Sequence, residues 1–386
     1  MTLFSGLRAL SDRLRLIQGS HWFVRSRPDD GSVACGHWSD QPPEHRCVVK
    51  AGSVLIIHFE MWHRASKNQL DETRFMYKFP VVRMREPQPG PTGSRDGPRD
   101  MDGWAANADA KSRFVWNWMR GLSPLPTSLG GAAMSELVAL MQVEKEPGRT
   151  DAAYRAAEFG APAVDALVRE LHREANEALA ALPPADEPDH SNPSQLIART
   201  ALVAMGAAAV PALLKLLASD HWNVRAAAAD ALGDIGPTAA GTRTAAVVAA
   251  LLASLDEDGG ESLWVVRNVV EALGRFGAHA RSALPALASL LPVGAPSAGP
   301  GEGPSYVGTR HNAALAIAKI AALVPVGSVP EACVTELRAC VGDPHHVCSG
   351  NARIALQALE LVASEEARAE CGVAGAGAAG TTAALL

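Results

Sequence analysis

The strongest constraint on the fold is a repeat in the second half of the sequence. Arg225, Arg267, Arg310 and Arg353 follow one another at steps of 42, 43 and 43 residues. A period near 40 residues that contains two helical segments predicts stacked helical hairpins, because one hairpin alone cannot bury both of its apolar faces. Four apolar-glycine pairs each precede an apolar, alanine-rich segment, as hinges would: Phe159-Gly160, Met205-Gly206, Ile235-Gly236 and Phe276-Gly277.

This pattern resembles bacterial-type HEAT repeats over residues 150–365. The resemblance implies an all-α solenoid that binds a protein partner. We predict five or six antiparallel helix pairs in this stretch and no substantial β-sheet. The Pro-, Gly- and Ser-rich run 292–308 is interpreted as an insertion, and residues 366–386 as a low-complexity tail.

Composition narrows the possible partners and the compartment. The net charge is -6 and no long block of Lys and Arg occurs, so nothing favours nucleic acid. No apolar run reaches the roughly 18–20 residues of a membrane span, so none is expected. Six cysteines scattered over 386 residues do not form a disulfide framework, so we expect a reducing, cytoplasmic location.

The first part of the chain has a different pattern. Apolar segments at residues 14–23, 54–58 and 74–82 predict β-strands separated by polar loops. Residues 88–112 are rich in Pro, Gly and charge, which predicts a linker, and residues 113–149 are interpreted as a connecting helical segment.

Residues 10–85 resemble the C-terminal half of phytanoyl-CoA dioxygenase-like proteins, which are Fe(II)- and 2-oxoglutarate-dependent oxygenases. The resemblance implies a partial double-stranded β-helix, or jelly roll, over residues 1–87, and hence a multidomain α and β protein. Gln18 stands where the family usually has Pro, and Ser53 where it usually has Asp. The motif residues that carry the resemblance are Gly19-Ser20-His21, Gly52-Ser53, Trp62-His63, Ala65, Asn68 and Arg74.

By this resemblance, His63 is the distal iron ligand and Arg74 binds the C5 carboxylate of 2-oxoglutarate. A neutral imidazole suits Fe(II), and a guanidinium offers a two-pronged donor to a carboxylate. Asn68 lies either beside the cofactor or in an Asx turn. The implied cofactors are therefore Fe(II) and 2-oxoglutarate.

One departure from the family pattern affects the metal site directly. The His-x-Asp motif that supplies the other two ligands does not occur in the sequence. His58 and Glu60 form a His-x-Glu, but they lie only a few residues before His63, whereas the two ligand sets of this fold come from distant strands. We therefore expect a half-site, from either a truncated gene product or a degenerate remnant.

A second possible metal cluster contains Cys333, Cys340, His345, His346 and Cys348. Zinc sites use tightly paired ligands such as Cys-x2-Cys, and the gaps here are irregular. The cysteines lie in a helical pattern, which favours buried structural residues.

Two interpretations of function follow. In the first, the protein is a 2-oxoglutarate-dependent hydroxylase whose HEAT repeats bind a partner or a protein substrate. In the alternative, the chain is a non-catalytic HEAT scaffold with a vestigial barrel. The sequence leaves open whether the chain is an enzyme.

Overall fold

The structure is a computed structural model. It describes residues 2–5, 14–16, 45–47, 54–57, 63–65, 77–80, 109–119, 133–143, 148–180, 196–257, 263–292 and 307–370. Six strands precede thirteen helices within these ranges. The strands are β1 Thr2–Ser5, β2 Leu14–Leu16, β3 His45–Arg46, β4 Val54–Ile57, β5 His63–Ala65 and β6 Tyr77–Pro80.

The strands form two antiparallel sheets of three strands each. β1 lies between β4 and β6, so that Thr2 pairs with Ile57 on one side and with Pro80 on the other. β2 lies between β3 and β5 in the second sheet, where Leu16 pairs with both His45 and His63. Each strand is two to four residues long.

The predicted partial jelly roll is wrong. A jelly roll is built from eight strands in two Greek keys, and its strands must be long enough to enclose a pocket. The six described strands are shorter than the typical five or so residues, and each sheet has only three of them. Helices account for most of the described residues, and the fold is dominated by the repeat array.

The helices begin at residue 110 and continue to residue 370. The helices are α1 Ala110–Met119, α2 Met134–Val143, α3 Gly148–Ala157, α4 Val164–Ala180, α5 Ile197–Met205, α6 Val210–Leu216, α7 Trp222–Ala240, α8 Thr244–Glu257, α9 Leu263–Phe276, α10 Leu284–Ser289, α11 Val307–Ala321, α12 Glu331–Cys340 and α13 His346–Glu370.

From α3 onward the helices form five hairpins and a last helix, α13. The first helices of successive hairpins pack side by side in the order α3, α5, α7, α9, α11, with α13 at the end. The predicted five or six helix pairs are therefore confirmed, and the described residues after 148 contain no strand. The predicted domain boundaries stay predictions.

Three of the predicted glycine hinges, Gly160, Gly206 and Gly277, join the two helices of a hairpin, and the fourth, Gly236, interrupts α7 with a non-helical backbone. Gly160, Gly206, Gly236 and Gly277 have φ angles of 65°, 57°, 68° and 54°. An L side chain is strained at such angles, so glycine is the residue that lets the chain leave the first helix and turn.

The repeats pack closely because small residues face one another. A Cβ added to Gly233 in α7 would lie 2.8 Å from the Cα and Cβ of Ala272 in α9. A Cβ on Gly274 in α9 would lie 2.9 Å from the same atoms of Ala316 in α11. These contacts belong to one continuous core that extends from Leu137 to Leu359.

Buried asparagines connect successive repeats. Each donates its amide to a backbone carbonyl 40 to 48 residues earlier in the chain; two of the acceptors lie in a first helix, and Ala175 lies in the second helix α4. The bonds are Asn223 Nδ2 to the Ala175 carbonyl at 2.7 Å, Asn268 Nδ2 to Ala226 at 3.0 Å and Asn351 Nδ2 to His311 at 2.8 Å.

The stretch Trp222–Leu255 contains a window with a mean hydropathy of 1.4, and by length and composition it qualifies as a candidate membrane span. Backbone geometry divides it into the hairpin α7–α8. Gly236 and Gly241 both have positive φ angles, and α7 packs against α9.

Candidate functional site

The predicted half-site can be located only in part. His63 is the first residue of β5, where it pairs with Leu16 of β2. Asn68 and Arg74 lie outside the described residues, so their predicted roles stay predictions. Among the residues that the structure describes, no group of three or more His, Cys, Asp or Glu side chains could hold a metal ion. The described part of the chain thus does not assemble the two-histidine, one-carboxylate set that Fe(II) requires, and binding of Fe(II) and 2-oxoglutarate stays a prediction.

The three cysteines of the predicted cluster are buried and have a structural role. Cys333, Cys340 and Cys348 are buried free thiols, and Cys333 Sγ donates to the carbonyl oxygen of Leu284 at 3.3 Å. Burial raises the pKa of the Cys348 thiol to about 11. A thiol must ionise to act as a nucleophile or metal ligand, so this environment keeps Cys348 inert.

The arginines that recur at steps of 42 and 43 residues occupy equivalent positions in successive repeats. We call them the arginine ladder, and they are Arg225, Arg267, Arg310 and Arg353. Three of them donate to carbonyl oxygens at the end of the preceding helix, where the last carbonyls of a helix have no partner within it. The bonds are Arg225 Nη1 to Ser219 at 2.8 Å, Arg310 Nε to Leu291 at 2.9 Å and Arg353 Nη2 to Val341 at 3.4 Å.

Arg267 is the exception in the ladder. Its guanidinium carbon lies 4.9 Å from the centroid of the Trp264 ring, one turn earlier in α9. Such a cation–π contact holds the side chain in place while leaving its donors available. Arg267 is half-buried, and we call it the displayed arginine because no carbonyl of the described residues accepts from it, whereas its three counterparts connect helices.

Three histidines continue this surface across the next two first helices. His311 in α11 and His345 lie with ring centroids 6.3 Å apart, and His345 and His346 lie 5.1 Å apart. Burial, followed by the charges of Arg267 and His345, lowers the pKa of His311 to about 4. We call Trp264, Arg267, His311, His345 and His346 the cationic strip.

An ionic network lies between α5, α7 and α9. Arg199 Nη2 contacts Asp230 Oδ2 at 2.5 Å and also bonds Asp234. Arg275 bonds Asp234 from the other side, and it also bonds Glu271 at 2.8 Å. Burial raises the pKa of Asp230 against the opposing pull of Arg199 and Arg275. The network fixes three consecutive repeats relative to one another.

Sequence reasoning missed this network, as well as His311. A signal was present for the network, since Asp230–Asp234 and Glu271–Arg275 are both i,i+4 pairs and stand 41 residues apart. His311 directly follows a ladder arginine, Arg310.

The outward surface of the second helices α8 and α10 differs from the cationic strip in its side chains. The fully exposed positions that the structure describes in α8 and α10 carry small, uncharged side chains, whereas the half-buried positions of α8 include Leu252 and Leu255. We call this surface the small-residue face, and it consists of Ala245, Ala246, Ala249 and Ala253 in α8 and Pro285, Ala286 and Ser289 in α10.

Comparisons with known proteins agree with the helical architecture. The family model of HEAT repeats matches residues 189–261 and 210–297. No curated protein sequence matches the chain. The chain therefore carries HEAT repeats, an assignment that rests on the family match and on the observed hairpins.

Three solved structures illustrate the similarity of this chain to known proteins. Kap121p is 14% identical with a TM-score of 0.45, over 58% of this chain and 25% of its own length. A designed armadillo repeat protein is 20% identical with a TM-score of 0.36, over 59% of this chain and 100% of its own. The complex of CpcE and CpcF of phycocyanin lyase from Nostoc is 20% identical with a TM-score of 0.28, over 62% and 98% of the two chains.

The oxygenase interpretation is wrong, including the predicted oxidoreductase and dioxygenase activity. The described residues are mostly helical, their six strands form two sheets of only three short strands each, and the family match concerns HEAT repeats. The front segment shares motif residues with the oxygenase family, but its described residues do not form the eight-stranded fold that would bring them into one pocket.

Proposed function

We propose that the chain is a non-catalytic scaffold whose HEAT repeats bind a protein partner on the small-residue face. The observation that carries the proposal is the composition of that face. Its seven positions span two consecutive hairpins and contain no charged side chain, although charged residues make up 20% of the sequence. Exposed apolar surface of this kind favours association with another protein.

The shape of the face favours a helical partner. Ala245, Ala249 and Ala253 recur every four residues and therefore line one side of α8. Small side chains allow a second helix to approach closely and place its larger apolar residues between them. Amphipathic helices that bind in this way present apolar side chains at i, i+3, i+4 and i+7.

The scaffold beneath the face is organised before binding. The bond of Asn268 and the ionic network join the first helices of adjacent repeats, and the second helices pack on them. A surface that is already ordered loses little conformational entropy when a partner binds.

A peptide display library selected on the full chain tests the proposal. We expect recovered ligands with amphipathic helical patterns, and we expect Ala249→Arg to abolish their binding because it places a charged side chain in the centre of the face. Ala363→Arg, at an exposed position of the last helix, is the matched control and should leave binding unchanged.

Failure to recover any ligand above background would contradict the proposal. Ligands that bind the Ala249→Arg variant as well as they bind the wild-type chain would contradict it too. Thermal melts of both variants establish that the array remains folded.

A further inference from the structure

The cationic strip contains donors that the fold itself does not use. Three of the four ladder arginines donate to helix-end carbonyls, but Arg267 stacks on Trp264 and makes no ion pair with the described residues. A guanidinium carries five N–H donors and stays charged at any physiological pH. The stacking therefore positions these donors at the surface without occupying them.

The two neighbouring imidazoles add further donors. The Nδ1 atoms of His311 and His345 are buried and have no hydrogen-bond partner among the residues that the structure describes. A buried N–H without an acceptor is rarer and less favourable than an unpaired acceptor, so we assign the proton of each neutral ring to Nε2. The Nε2–H group is then the donor that each ring directs outward.

The carboxylates near the strip are already engaged by other cations. Glu271, which faces His311 from α9, accepts a bond from Arg275 at 2.8 Å. Asp343, which lies before α13, bonds Arg310. The positive charge of Arg267 and the donors beside it are therefore not neutralised from within the array.

We propose that the cationic strip docks an acidic segment of a partner protein, with Arg267 as its main carboxylate-binding residue and His311 and His345 as N–H donors beside it. The inference rests on the proposed scaffold function and names the chemistry of a second contact surface. Carboxylates of the segment pair with the Arg267 guanidinium and accept from the two Nε2–H groups. The strip crosses α9, α11 and α13, so an extended segment contacts three successive repeats.

A direct binding measurement tests this proposal. The probe is a fluorescein-labelled octaglutamate peptide, titrated with the full chain at neutral pH and low salt and followed by fluorescence anisotropy. We expect Arg267→Gln to weaken binding about fivefold, the effect of losing one charge pair at a half-buried arginine. Arg281→Gln removes an exposed cation from the turn before α10, away from the strip, and should change affinity less than about twofold.

A pair of histidine variants tests the assigned tautomer. His345→Gln keeps an N–H donor near the position of Nε2 and should retain binding, whereas His345→Ala should weaken it. Circular dichroism melts confirm folding of each variant. If His345 served only to stabilise the fold, the Gln and Ala variants would not differ in binding while their melting temperatures stayed unchanged.

Three outcomes would overturn the proposal: no binding of octaglutamate, equal losses in Arg267→Gln and Arg281→Gln, or tighter binding of an oligouridylate of equal charge than of octaglutamate. Failure here can be told apart from failure of the scaffold proposal. Display ligands that depend on Ala249 would still support the scaffold if octaglutamate fails.

Discussion

The helical array and the short strands at the front of the chain are held together by contacts of different range. In the array, each repeat contacts the next one, as when Asn268 donates to the carbonyl of Ala226. In the front sheets, Thr2 pairs with both Ile57 and Pro80, so the pairing depends on residues far apart in the chain. The array is therefore a sum of similar local units, whereas the sheets depend on long-range closure.

This difference predicts where single substitutions have large effects. A residue at an interface between repeats contributes to the stability of two units at once. The largest effects should come from ladder arginines that connect helices, followed by glycines at close helix contacts, and then by titration of single groups.

The strongest expected effect is at Arg310. Its side chain is 12% exposed, it bonds Asp343, whose side chain is 2% exposed, and it donates to the carbonyl of Leu291. Arg310→Ala leaves a buried carboxylate unpaired and should lower the free energy of unfolding by about 3 kcal/mol. Urea denaturation measures this value.

Arg267→Ala, at the equivalent position of the preceding repeat, is the control. Because Arg267 contacts only the Trp264 ring among the described groups that could pair with it, its loss should cost about 0.5 kcal/mol. Equal losses in the two variants would show that the ladder does not divide into connecting and displayed arginines.

A second comparison uses glycine. Gly274→Ala introduces a Cβ 2.9 Å from the backbone of Ala316, and the resulting overpacking should destabilise the array by about 2 kcal/mol. Gly350→Ala, within α13, meets no atom within 4 Å and should stabilise the protein by about 0.5–1 kcal/mol through helix propensity. The same substitution should thus change the urea midpoint in opposite directions, and a shift of the same sign in both would refute the close contact.

The smallest expected effect concerns pH. The pKa of His311 is lowered to about 4, so the unfolded chain binds a proton that the folded chain does not bind between pH 4 and the ordinary histidine value near 6.5. The stability that His311 contributes is complete above about pH 6.5 and is lost as the pH falls toward 4. Melting temperatures of the wild type and of His311→Asn across this range measure the contribution. Parallel pH profiles of the two proteins would contradict it.

The parts of the fold that are specified locally could be predicted from the sequence. The glycine hinges and the arginine ladder each recur with the repeat, and the structure gives them positive φ angles and bonds to helix ends. The ionic network of Arg199, Asp234 and Arg275 could not be derived in the same way, because it depends on how three first helices are oriented after packing.

The front of the chain shows what could not be predicted from the sequence. His63 and Arg74 match the spacing of an oxygenase motif, but spacing along the chain does not determine whether distant strands close into a barrel. The structure places His63 in a three-residue strand within a three-stranded sheet. A motif predicts chemistry only where the fold brings its members together.

Amide hydrogen exchange of the full chain, read by mass spectrometry, tests most directly that the HEAT array is the stable unit of this protein. We expect the amides of α7, α9 and α11, which share the core and the connections between repeats, to exchange most slowly. Amides of β1 to β6, in sheets of short strands, should exchange far faster. Strands protected as strongly as α9, or helices of the array that exchange as fast as the strands, would contradict it.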